Sequence, residues 1–175
     1  MNINEYQNYH ETKAHTSAEF PYNTYLCSIP LDFPGVPLHW HDELELVVIK
    51  RGQGFVSVDF DKRLVHSGDI IIIPPRCLHA IEQDDTFKME YENIIFKPDL
   101  LSSGANDLCM IQYIVPLLDG SLPIEYFLTP ALGSFEALSN CIRQIDLVCA
   151  DQTPGWQLAV KSSLFNFFFL LISAR

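Results

Sequence analysis

Between Tyr22 and Phe96 the chain is a succession of short runs rich in β-branched and aromatic residues: "YNTYLCSI", "LELVVIK", "GFVSVDF", "RLVHS", "DIIIIP" and "KMEYENIIF". Gly, Pro and Asp separate them, and the gaps are too short to carry crossover helices. Such a pattern predicts a closed or sandwiched antiparallel sheet rather than a β-α-β architecture. "RGQG", Arg51 to Gly54, supplies residues that accept positive φ and reads as a hairpin turn between two strong strands.

After Phe96 the period changes. "DLLSSGANDLCMIQYIVPLL" reads as short helical turns and "SLPIEYFLT" as a returning strand. Leu132, Phe135, Leu138, Ile142, Ile145 and Cys149 then recur at steps of mostly three or four, a narrow seam of the kind that pairs with another helix. A second helix, Trp156 to about Ala174, is apolar nearly all round and is expected to be buried. Arg175 follows with no glycine cap or proline stop, which predicts that the polypeptide continues. The first twenty residues are polar and patternless, the texture of a mobile arm or of a segment that orders only against something else.

The 175 residues, 48% hydrophobic, suffice for one well-packed domain. A net charge of -11, from 22 acidic against 11 basic residues, repels phosphate backbones, so this chain by itself is not expected to bind DNA. The cysteines, Cys27, Cys77, Cys109, Cys141 and Cys149, are odd in number and free of C-x-x-C spacing, which fits small buried hydrophobes in a reducing cytoplasm. The amino-terminal stretch has no apolar run and reads as neither secretion signal nor anchor. "LFNFFFLLI", Leu164 to Ile172, is about half the ~20 residues needed to span a bilayer, so no membrane partner is expected.

The chemistry concentrates in "PLHWHDELEL", Pro37 to Leu46. Alternation on an extended strand points His39 and His41 one way and Trp40 the other, which assigns Trp40 to packing between barrel and helices. Asp42 and Glu43 read as a solvated turn, although Glu43 shares the parity of the histidines if the strand continues through it, and Glu45 faces the same interior as Val47 and Ile49. His79 follows four isoleucines and two prolines. Three imidazoles and a carboxylate, His39, His41, His79 and Glu45, make a first shell for a divalent metal such as Zn, Ni, Fe or Mn, with Cu also compatible. A metal-free polar wall of a ligand pocket uses the same residues, and both readings stay open.

The pattern His39, His41, Glu45, Gly52, then Gly68, Pro74 and His79, resembles the paired motifs of the cupin superfamily, with Arg76 in place of the second motif's glycine and Gln83 in place of its terminal asparagine. Gly35 also lies closer to His39 than the enzymatic first motif prescribes. Within that superfamily the wording "PLHWHDELELVVIKRGQGFVSV...VHSGDIIIIPPRCLHAI...YENIIFKPDLL" is similar to the amino-terminal domain of AraC-type transcription regulators, from about Tyr22 through the terminal helices.

The resemblance implies a mainly β fold: a cupin-type double-stranded β-helix, or jelly-roll barrel, over residues 21–97, an arm over 1–20, and a helical dimerisation region over 98–175. It implies a small-molecule effector, with a carbohydrate expected, and a homodimer through the carboxy-terminal helices. DNA would be read only by a helix-turn-helix domain that this chain lacks. Inward alternation on "KMEYENIIF" adds Tyr91 and Asn93 to the effector-binding residues. The arm would serve as a lid, with Phe20 and Tyr22 where it meets the barrel mouth. The implied role is sensing without catalysis. The competing class is a metal-dependent cupin enzyme of sugar-phosphate isomerase or dioxygenase type.

Overall fold

A computed structural model describes residues 3–104 and 107–174. After a short helix α1 (Ile3–Gln7) come seven strands: β1 (Tyr22–Ile29), β2 (Gly35–His39), β3 (Leu44–Val58), β4 (Asp61–His66), β5 (Ile70–Ile73), β6 (His79–Gln83) and β7 (Met89–Phe96). Then follow a 3-10 turn (Pro98–Leu100), a π-helical turn (Met110–Ile114), α2 (Val115–Leu118), β8 (Phe127–Leu128), α3 (Phe135–Asp151) and α4 (Trp156–Ser173). Every strand pairing is antiparallel.

The strands form two sheets that share β3. One runs β1-β7-β3-β5-β8, and in the other β3 pairs with β4 and β6, with β2 on the far side of β6. Side chains from both sheets meet in one core: Val47, Ile49, Ile71, Ile73 and Tyr91 from the first, Val56, Val58, Val65 and Ile81 from the second. This is the jelly-roll barrel of the cupin type, with helices after it.

The expected hairpin at Arg51–Gly54 is not formed. β3 runs unbroken through it, pairing with β7 up to Gly52 and with β4 from Gln53. The glycine has another use. The register slips between Ile49 and Arg51, and Gly52 adopts φ 77 where a Cβ would stand 1.8 Å from the Lys88 carbonyl oxygen. The strand therefore turns the corner from one sheet to the next with a bulge, which only a residue without a side chain permits here.

The four isoleucines of β5 explain themselves in this setting. Ile71 and Ile73 point into the barrel, Ile70 and Ile72 point to the helices, and each is at most 1% exposed. A strand covered on both faces needs no polar alternation. On the helix side, Leu44, Leu46, Val48, Ile94 and Phe96 join Ile70 and Ile72 beneath α3 and α4.

The seam of α3 is spent inside the chain. Phe135, Leu138, Cys141, Ile142 and Ile145 are buried in one cluster with Val160, Leu164, Phe167, Phe168 and Leu171 of α4. Each such large side chain contributes roughly 1.5–3 kcal/mol of burial, which isolates neither helix from the barrel. Lys50 of β3 ties the layers further, with Nζ 2.6 Å from Glu92 and 3.1 Å from Asp146 of α3.

Helix α4 is not buried all round. It is long and apolar enough to cross a membrane by length and composition, with mean hydropathy 1.3, yet one face packs on the core while Leu158 (74% exposed) and Phe169 (63%) face outward. Cysteine burial is likewise mixed: Cys141 is buried, Cys109 exposed, the others between.

Candidate functional site

Three elements carry the cluster. His39 ends β2, His79 opens β6, and the two are direct cross-strand partners with ring centroids 4.1 Å apart. His41 lies on the connection to β3, its ring 5.7 Å from that of His39 and 5.0 Å from that of His79. One ring nitrogen from each of the three lies within 4.8 Å of the others. Glu45 enters from β3, its Oε2 at 3.0 Å from His41 Nε2 and 3.3 Å from His79 Nε2. His41, Glu45 and His79 are at most 3% exposed. The structure thus brings together all four residues of the histidine and glutamate set.

The rings are oriented by backbone. The Nδ1 of His39 sits 2.9 Å from the Pro37 carbonyl, that of His41 3.2 Å from the Glu43 carbonyl, and that of His79 2.9 Å from the Cys77 carbonyl. A carbonyl only accepts, so each Nδ1 carries a proton and each Nε2 faces the interior; that of His41, 3.0 Å from Glu45 Oε2, is protonated as well and donates to the carboxylate when no ion is bound. Imidazoles oriented by backbone through Nδ1, with Nε2 turned to a shared point, are the arrangement that metal ligands require. His79 Nε2 is buried with no hydrogen-bond partner among the described residues, an orphan that the 3.3 Å approach of Glu45 does not satisfy. The donor set, three neutral nitrogens and one carboxylate, fits Zn, Ni, Fe or Mn.

Electrostatics agree with a tightly coupled cluster. Burial by itself pushes the Glu45 carboxyl up, but the hydrogen bond from His41 and the attraction of both His41 and His79 outweigh it and hold Glu45 well below the usual carboxylate range. For His41 burial favours the neutral form, and the opposing pull of Glu45, with Glu43 and Glu11, raises it overall. His39 is lowered, by burial first and by His79 second. Burial pushes the Cys77 thiol up to about 12, so it stands behind the site as a neutral group and not as a thiolate ligand.

Tyr91 and Asn93 lie deeper along β7. Tyr91 is fully buried in the barrel core, opposite Cys27 and Ile49, and Asn93 is half-buried opposite Tyr25 and Val47. The Tyr91 hydroxyl meets the Cys27 thiol, whereas the Asn93 Oδ1 is buried without a hydrogen-bond partner among the described residues. Such a group costs roughly 1–3 kcal/mol if nothing meets it.

Several neighbours differ from the sequence reading. Glu43 is not on a solvated turn: it is 7% exposed, with its carboxylate 3.6 Å from His41 Nδ1, because the chain dives inward before β3 begins. Asp42 alone stays outside, paired at 2.8 Å with Arg76. Arg76 adopts φ 63, the left-handed conformation that a glycine takes without cost.

The arm is ordered against the barrel. Trp40 packs with it and not with the helices: the rings of Tyr6 and His10 stack on Trp40 at 4.7 and 4.2 Å, and its Nε1 donates to the Tyr6 carbonyl. Phe20 and Tyr22 are away from the mouth, in the helix-side core, where Phe20 meets Trp156 and Tyr22 meets Cys149. The residues that do reach the mouth are Glu11 and His15. Their only trace in the sequence is an acid and an imidazole four apart in a polar segment, a pattern too common to single out.

This chain belongs to the AraC-like ligand-binding domain family, whose model matches residues 34–168. It is 32% identical over 159 residues to the HTH-type transcriptional regulator YdeC of Bacillus subtilis strain 168, covering 90% of this chain and 54% of that protein. It is 26% identical over 129 residues to the regulator YbfI of the same organism, covering 74% of this chain and 42% of that one. The chain thus spans about half the length of the curated relatives it matches. Among solved structures it is similar to a cupin protein from Bacteroides fragilis, with a TM-score of 0.41 and 22% identity over 53% of this chain and 75% of that one.

Proposed function

We propose that this chain is the effector-sensing and dimerisation part of a bacterial transcription regulator, that it works in the cytoplasm, and that it performs no chemistry of its own. The observation that supports the reading is a pair of buried polar atoms without a partner among the described residues of the barrel, Asn93 Oδ1 and His79 Nε2, beside buried His41 and Glu45. Buried polar groups of this kind are costly unless a ligand completes them.

His39, His41, Glu45, His79, Tyr91 and Asn93 form the effector wall in this reading. A donor and acceptor lining with an aromatic hydroxyl suits a polyhydroxylated molecule, so the effector class is carbohydrate. His39, His41, Glu45 and His79 would hold a divalent ion, which when bound supplies a positive centre for effector oxygens. The homodimer would form through the outward face of the carboxy-terminal helices, where Leu158 and Phe169 are exposed. Effector binding shifts the arm or the helices between two arrangements and so changes how attached DNA-binding segments are presented. A metal-dependent cupin enzyme of isomerase or dioxygenase type is the second reading, favoured by the clustered His39, His41 and His79, the last two buried, with buried Glu45 beside them.

The test is thermal-shift and calorimetric titration of a monosaccharide panel against the wild type and the variants Tyr91→Phe and Asn93→Leu. A sugar that binds the wild type and loses about tenfold or more in affinity in each variant supports the assignment. A panel with no binder rejects the carbohydrate class, and turnover of any panel member favours the enzyme.

A further inference from the structure

A cavity of about 600 Å³ lies away from the histidine cluster, between the π-helical turn Met110–Ile114 and the last turns of α4. That volume falls within the roughly 300–1,000 Å³ of small-molecule sites. Much of its wall is aromatic: Tyr113 comes from the turn, and Phe165, Phe168 and Phe169 from α4. Phe168 is 1% exposed and belongs to the helix-side core, whereas Tyr113 (42%), Phe165 (41%) and Phe169 (63%) stay open to solvent around the same hollow. Exposed rings scattered singly need no explanation, but rings gathered on one cavity mark a contact site. The turn itself points the same way, since π-helical turns are rare and recur at functional sites.

The charge on this wall has one sign. Among the described residues that line the cavity, Asp107 carries the one charge, and no lysine, arginine or histidine stands with it. Its Oδ1 accepts from the Met110 N–H at 2.9 Å and its Oδ2 from the Ser103 hydroxyl at 3.1 Å, which fixes the carboxylate at the entrance to the π-helical turn. The bond from Met110 first, and that from Ser103 after it, hold Asp107 below the ordinary carboxylate range, so it is ionised at neutral pH. A carboxylate has about four acceptor sites, and these two bonds leave room for a ligand.

We infer that this cavity binds a lipophilic cation: a small molecule with an aromatic or aliphatic body and a quaternary or protonated centre. The apolar wall takes the body. Ring faces carry negative charge density and attract a cation, and Asp107 attracts it further. An anion of the same shape meets the same carboxylate as repulsion, in a chain whose net charge is already -11. The site is separate from the barrel and does not depend on the ion-binding or carbohydrate reading of it.

Tetraphenylphosphonium and tetraphenylborate share a shape and differ in the sign of their charge, which makes them the probes. Each is titrated by calorimetry into the 175-residue chain and into its Asp107→Asn and Phe165→Ala variants, with sedimentation velocity at the same concentrations. Both side chains are exposed, so the variants are expected to fold, which circular dichroism checks. The wild type is expected to bind the phosphonium about tenfold or more tighter than the borate, and each variant to lose roughly two- to fivefold in phosphonium affinity. Asp107→Asn should also narrow the preference between the two probes. Absence of phosphonium binding, or a preference for the borate, overturns the inference. So does phosphonium affinity that either variant leaves unchanged, because the cation would then be following the overall negative charge or another surface. Phosphonium binding that disappears as sedimentation shows a dimer forming overturns it as well, with a second copy of the chain as the occupant of the cavity.

Discussion

The large sheet is finished differently on its two faces. Toward the helices, Leu44, Leu46, Val48, Ile70, Ile72, Ile94 and Phe96 pack against apolar side chains of α3 and α4, and the charged group beside them, Lys50, is paired with Glu92 and Asp146 of the chain itself. Toward the barrel, the intervening residues of the same strands, Glu45, Val47, Ile49, Ile71, Ile73 and Tyr91, share their space with His41 and His79, and polar atoms there lack partners among the described residues. The difference is that one face is complete within the chain while the other is built to be completed by something else, and that separates a face for stability from a face for binding.

The strongest way to break the comparison is a charge on the finished face. Leu138 is 0% exposed between α3 and the sheet. Leu138→Asp is expected to cost about 4 kcal/mol or more, seen as collapse of the thermal transition, because an unpaired carboxylate is driven into an apolar core. A folded monomer with near-normal melting would instead assign the α3 seam to an interface between two copies of the chain.

The next perturbation acts on the binding face. Glu45→Gln removes the carboxylate from a buried pair and is expected to cost about 3–5 kcal/mol in chemical denaturation without added metal. The same contacts set the pH response. Glu45 titrates lower in the folded chain than its ordinary 4.5, so its contribution is present above that value and is lost as pH falls through the folded pKa. His41 titrates higher than its ordinary 6.5, so its contribution is full below 6.5 and is lost as pH rises through the folded pKa. Metal-free wild type should therefore be most stable between about 4.5 and 6.5, and the variant should show a flatter profile. Identical profiles would show that the pair contributes nothing to stability.

The smallest expected effect on stability sharpens the comparison from outside. Phe169 lies on the outward face of α4 at 63% exposed. Phe169→Glu should leave the melting temperature within a few degrees, as surface changes usually stay within about 0.5 kcal/mol, while sedimentation velocity shifts from the proposed dimer to monomer. An unchanged dimer would place the interface elsewhere.

Much of this was legible beforehand, for identifiable reasons. Alternation placed Glu45, Tyr91 and Asn93 on the inner side of their strands, and the H-x-H and later His placed three rings at neighbouring strand ends. The misreadings have a common origin. Gly52 was a turn by its φ preference and a bulge in fact, because local conformation does not say which strand comes next. Glu43 looked like surface because charge usually is, and the inward path of the chain after His41 is not a local property. The arm had no pattern to read, since its order comes from Trp40 and β1 rather than from burial of a periodic face.

What the amino-acid sequence determined alone was the inventory: a β-rich half, a helical half, and a polar quartet on one side of the strands. Only the tertiary structure decided what lies across from each face. It spent the α3 seam on α4 and the sheet, left Phe169 outside, and brought Glu11 of the arm to His39. Periodicity fixes which residues share a side. The partner for that side is set by long-range packing, where the energy of covering a whole face outweighs the preference of any one residue on it.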